Sequence, residues 1–143
     1  MQFAGDLSDT FTSDDQRLDV RRGNGPVVFE IEQILSGFHE GGPAQIDVRL
    51  NARHALPAGN RVPGVSVTRE LLLFNFETNQ FEVVGMEAST PFDTALEVKI
   101  SEQAGRFVEP STGRLIIRIE HEKSGLVRGL RVLVDEVSSR FVY

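Results

Sequence analysis

Apolar residues recur at every second position in stretches separated by turn signals too closely spaced to leave room for crossover helices. Ile46, Val48, Leu50 and Ala52 alternate with Asp47, Arg49 and Asn51, and Phe92, Thr94, Leu96, Val98 and Ile100 alternate with Asp93, Ala95, Glu97 and Lys99. A period of two sends successive side chains to opposite faces of a strand, so each segment offers one face to a core and one to water. A sheet with one apolar face must cover it with another, and short connections pair strands antiparallel. The expectation is an all-β chain, a jelly-roll-like antiparallel β-sandwich, in a single domain over residues 1–143.

The remaining segments fit this pattern. Phe3 to Gln16 is polar, with isolated anchors, and reads as a short edge strand and a loop. Arg17 to Arg21 alternates, and Gly23-Asn24-Gly25-Pro26 breaks the run. Between Pro26 and Phe38 two periods compete. Val27, Phe29 and Ile31 favour a strand through Ile31 or Glu32, while Ile31, Ile34, Leu35 and Phe38 suggest a helical turn over Gln33 to Ser36. Ala55 to Gly64 is a turn-rich linker, and Leu71 to Val84 reads as a hairpin closed at Thr78-Asn79. Leu115 to Glu120 supplies another strand, and Val127 to Val137 with Arg140 to Tyr143 supplies the last ones. The expected core includes Val20, Phe29, Leu50, Leu72, Phe74, Val83, Phe92, Ile117 and Val134.

Composition narrows the function classes. The 21 acidic residues outnumber the 15 basic ones, and a net charge of −6 repels phosphate backbones, so no nucleic-acid partner is expected. No apolar run approaches the roughly 18 residues that span a bilayer, so no membrane insertion is expected either. The absence of cysteine rules out disulfides and thiolate metal sites without fixing a compartment.

Several residue groups are candidates for chemistry. Asp6, Asp14 and Asp15, in a stretch rich in Gly, Ser and Thr and joined by Asp135, have the oxygen ligands that Ca²⁺ takes, although the spacing is not that of an EF-hand and a solvated polar loop with Asx turns and caps is the default reading. No cofactor is required beyond this calcium candidate. Asn75, Phe76, Phe81 and Arg69 are candidates for a shallow sugar-binding surface, set against the simpler view that phenylalanines at strand spacing fill a core. His39, His54 and His121 lie too far apart to form a recognisable zinc motif, and His54 and His121 are expected at the surface. Without a G-x-S-x-G elbow or Trp, a small hydrolase is the weakest alternative.

Four stretches resemble a known family. Gly5-Asp6-Leu7-Ser8 with Thr12 to Leu18, Leu73-Phe74-Asn75-Phe76-Glu77-Thr78-Asn79-Gln80-Phe81-Glu82, Arg106 to Leu115 and Arg131 to Val137 are together similar to a poorly characterised β-sandwich domain. That domain occurs in large secreted or surface proteins of environmental bacteria, often near dockerin-like modules. The resemblance implies a jelly roll somewhat like carbohydrate-binding modules, extracellular or at the cell surface, with no catalytic residues to carry over. The chain departs from the family in having Phe76 and Phe81 where Trp is common. The expected function is a non-catalytic accessory or structural-interaction module, with a protein partner or self-association as its mode of action. A carbohydrate-binding module with a glycan ligand is the alternative.

Overall fold

The computed structural model describes residues 18–21, 26–34, 42–56, 66–123 and 130–143. Its strands are β1 (Leu18–Arg21), β2 (Val27–Ile34), β3 (Gln45–Ala55), β4 (Val67–Asn75), β5 (Gln80–Ala88), β6 (Thr94–Ile100), β7 (Arg114–Lys123) and β8 (Arg131–Val142). One sheet runs β1-β8-β3-β6 and the other β2-β7-β4-β5, with every pairing antiparallel. Among the described strands, each connection except the β4–β5 hairpin passes from one sheet to the other. The architecture is the expected jelly-roll β-sandwich.

The core lies where the alternation places it. Phe29, Ile46, Leu50, Leu71, Leu73, Ile117, Ile119, Val132 and Val134 are all buried between the sheets. Burying each such side chain is worth about 1.5–3 kcal/mol, so these paired faces supply most of the drive to form the sandwich. Two irregularities adjust the alternation. The β3–β8 register shifts between Asn51 and Ala52, leaving Asp135 as the extra residue, so Val132 and Val134 point inward before it and Val137 after it. A second shift between Leu71 and Leu72 leaves Val84 extra on β5.

Several expectations are corrected. The segment from Pro26 continues as strand through Ile34, because Gln33 and Ile34 pair with Leu115 and Arg114 and the ladder overrides the helical spacing. Phe92 is 73% exposed: it sits in a bend before β6, held by a bond from Thr90 Oγ1 to its carbonyl at 2.7 Å. Val83 is 54% exposed, since it pairs with Leu72 on the outer face of its sheet. The end of the chain is a single strand through Val142, and Ala104–Phe107 forms a short 3-10 helix that the sequence did not suggest. The edge strand and loop expected over Phe3 to Gln16 lie outside the described residues.

The histidines and one arginine also depart from expectation. His54 extends the inward series of Ile46, Val48, Leu50 and Ala52, and His121 extends that of Leu115, Ile117 and Ile119, so both are buried rather than exposed. Arg69 occupies the inward position between Val67 and Leu71 and is fully buried, which removes it from any surface site. Its guanidinium joins the two sheets, with Nη1 donating to the Thr94 carbonyl at 2.9 Å and Nε to Glu87 at 3.0 Å.

Candidate functional site

The β4–β5 hairpin carries most of the candidate residues and separates them onto two sides. Its turn spans residues 76–79, closed by the Asn79 amide donating to the Asn75 carbonyl at 2.8 Å. Asn79 holds a left-handed backbone, φ 58°, which Asn tolerates better than most residues. The register then places Phe74 opposite Phe81 and Asn75 opposite Gln80.

On the outer face of the β2-β7-β4-β5 sheet, Phe74 meets Phe76 edge-to-face at 5.0 Å between ring centroids and Phe81 at 5.2 Å. All three rings are half-buried. Strand β7 supplies cations to the same face: Arg118 lies 3.9 Å from the Phe81 centroid and Arg114 lies 5.8 Å from that of Phe76. Each arginine is also paired with β2, Arg118 with Glu30 at 2.5 Å and Arg114 with Glu32 at 3.2 Å. The exposed Val83 and Met86 extend the apolar surface along β5. The outer face of the other sheet is charged instead, with Arg49 bound to Glu97 and Glu136 and Arg140 bound to Asp47.

Asn75 turns the other way, into a cleft of about 840 Å³ lined by Asn75, Glu77, Thr78, Gln80, Glu82, Glu102, Gln103 and Arg106. Its Oδ1 accepts from the Glu77 and Thr78 amides at 2.8 and 3.2 Å, which fixes the side chain as an Asx turn. Its Nδ2 donates to Glu82 Oε2 at 2.5 Å, and Arg106 Nε donates to the same oxygen at 3.2 Å. The Asn75 amide, followed by Arg106, holds the Glu82 carboxyl below the usual range, so it is ionised at neutral pH. Arg106 is itself held by the carbonyls of Glu102 and Gln103 and stacks 4.1 Å from the Phe107 ring centroid.

The structure therefore packs Phe76 and Phe81 each against Phe74 on one face, sends Asn75 into the adjoining cleft and withdraws Arg69 into the core. The metal candidates Asp6, Asp14 and Asp15 lie outside the described residues, as does His39. Asp135 is buried at the bulge and accepts from Asn51 Nδ2 at 3.3 Å. Among the described residues no group of three His, Asp or Glu side chains is placed to hold a metal ion. His54 Nδ1 is hydrogen-bonded to Ser89 Oγ at 2.8 Å, a buried contact that satisfies one imidazole nitrogen.

Sequence reasoning assigned Phe74 to the core, whereas it is half-buried on the outer face, and missed Arg114, Arg118 and Arg106. A turn closed at Thr78-Asn79 would set Phe76 opposite Phe81, whereas the observed turn over residues 76–79 sets Phe74 there. The arginines come from β7 and from the 3-10 helix, and no local pattern connects them to the hairpin.

No family model and no curated protein matches the chain. Solved structures do match in fold. A CBM4 carbohydrate-binding module is similar at a TM-score of 0.52 and 13% identity, covering 92% of each chain. The xylan-binding module CBM15 is similar at 0.49 and 10% identity, covering 88% of this chain and 97% of that one. TmCBM61 in complex with β-1,4-galactotriose is similar at 0.46 and 12% identity, covering 87% and 70%. At these identities the likeness is one of fold. No helix among the described residues is long and apolar enough to cross a membrane.

Proposed function

We propose that this chain is a non-catalytic carbohydrate-binding module, an accessory domain of a secreted or surface protein, and that the aromatic face of the β2-β7-β4-β5 sheet is its glycan platform. The observation that carries the reading is the convergence of Phe74, Phe76 and Phe81 with two stacked arginines on one sheet face. Sugar rings present apolar C–H patches that pack on aromatic faces, while their hydroxyls take hydrogen bonds from neighbouring polar groups such as Arg114 and Arg118. The fold likeness to CBM4 supports the same reading.

The test is a titration of soluble neutral oligosaccharides, among them cellohexaose and xylohexaose, into the protein and into Phe76→Ala and Phe81→Ala. The reading requires binding by the parent protein and a loss of about tenfold or more in each variant. Unchanged affinity in both variants overturns the platform, and no binding across the panel overturns the glycan reading.

A second reading, a protein-contact module, is favoured by Val83 and Met86, which stand exposed on edge strand β5. Light scattering across a concentration series decides whether that edge pairs copies of the chain. A mass that stays at one chain up to high concentration counts against self-association.

A further inference from the structure

The cleft on the opposite side of the hairpin is chemically distinct from the aromatic face. Its polar groups are fixed but not saturated. Glu82 Oε2 already accepts from Asn75 and Arg106, whereas Oε1 has no hydrogen-bond partner among the described residues. Arg106 uses Nε and Nη1, and its Nη2 hydrogens have no acceptor among the described residues. An acceptor and a donor are therefore held side by side by an ion pair that uses one atom of each group, and the rims add the exposed amides of Gln80 and Gln103.

A vicinal diol matches this arrangement: one hydroxyl donates to the carboxylate and its neighbour accepts from the guanidinium. Charge then selects among ligands with that geometry. Glu77, Glu82 and Glu102 line the cleft against the single cation Arg106, so an anionic ligand meets a net negative wall. We infer that the Asn75–Glu82–Arg106 cleft is a second binding site, separate from the aromatic face, for a neutral sugar residue bearing vicinal hydroxyls, and that it rejects uronates. The inference rests on the reading of the chain as a glycan-binding module and deepens it by naming a subsite and its ligand class. The volume of about 840 Å³ accommodates one or two sugar rings.

The experiment is a two-dimensional amide NMR titration of the whole chain with methyl β-xylopyranoside, methyl β-galactopyranoside, galacturonate and xylohexaose, repeated on Glu82→Gln and Arg106→Lys. The spectra also report whether each variant keeps its fold. The neutral glycosides are expected to shift the amides of Glu77, Thr78, Gln80 and Gln103 in a saturable way, galacturonate is expected to leave them still, and both variants to bind about tenfold more weakly. Galacturonate binding as well as the neutral glycosides do, or undiminished binding by folded Glu82→Gln, overturns the inference. Shifts by xylohexaose confined to Phe81, Val83 and Arg118 overturn the cleft and leave the aromatic platform standing. No shift by any probe overturns both.

Discussion

Arg69 and Glu87 form an ion pair whose halves lie in different surroundings: the guanidinium is fully buried, while the carboxylate is two-fifths exposed. The arginine also donates to the carbonyls of Thr94 and Ala52, so a single buried cation binds β4, β5 and the opposite sheet together. Removing Glu87 leaves that charge in the core without its counter-ion. Glu87→Ala is expected to cost about 3 kcal/mol, because an uncompensated buried charge is far more expensive than a lost surface pair. Urea unfolding checks this, and a loss comparable to that of the exposed pair variant Arg140→Ala would contradict it.

His121 gives the fold an acid limit. It is Arg69's cross-strand partner on β7, neither ring nitrogen has a hydrogen-bond partner, and burial, with Arg69 and His54 adding repulsion, pushes its pKa down to about 3 from an ordinary value of 6.5. The unfolded chain therefore takes up a proton on this residue below about pH 6.5 that the folded chain refuses until about pH 3. Stability contributed by neutral His121 is present above that window and falls with pH, by about 1.4 kcal/mol per unit at steepest. His121→Leu is expected to hold stability at pH 7 within about 1 kcal/mol, since it removes two unpaired buried nitrogens, and to flatten the slope between pH 6.5 and 3. Thermal unfolding across that range measures both effects. An unchanged slope in the variant would refute the assignment.

Gly85 marks a close approach between β5 and β6. A Cβ there would lie 2.6 Å from Val98 Cγ2, so Gly85→Ala forces a short, stiff side chain to move. The expected cost is about 1–3 kcal/mol, as for other overpacked sites. Val98→Ala makes room, so the double variant should be more stable than the sum of the two single losses predicts, and a double-mutant cycle reads that coupling. Strict additivity would mean that the two residues do not meet.

Asn79 tests the turn. At φ 58° it needs a left-handed backbone, which costs a β-branched residue about 1–2 kcal/mol. Asn79→Val should lose that amount, while Asn79→Gly should stay within about 1 kcal/mol of the parent protein. Equal loss in both variants would place the cost in the Asn side chain instead.

The sequence by itself determined the inside and outside of most strands, because side-chain direction alternates whatever the partner strand is. Ile46, Val48, Leu50, Ile117 and Ile119 took the positions their period dictates, and the same count carried through His54, Arg69 and His121, although polarity argued for the surface. The hairpin was legible for a similar local reason, but not its register: a turn closed at Thr78-Asn79 sets Phe76 opposite Phe81, and the four-residue turn over 76–79 sets Phe74 there instead. Only the tertiary structure decided what depends on strands far apart in the chain. The Asp135 bulge is set by β3 pairing with β8, and it reverses the alternation within one strand. Arg118 reaches Phe81 because β7 lies beside β4, and Arg106 reaches Glu82 from the 3-10 helix, which also receives the Phe76 amide at the Arg106 carbonyl. Local periodicity fixes which way a side chain points, whereas the choice of neighbour is settled by which apolar faces cover one another, and that is a property of the whole assembled sandwich.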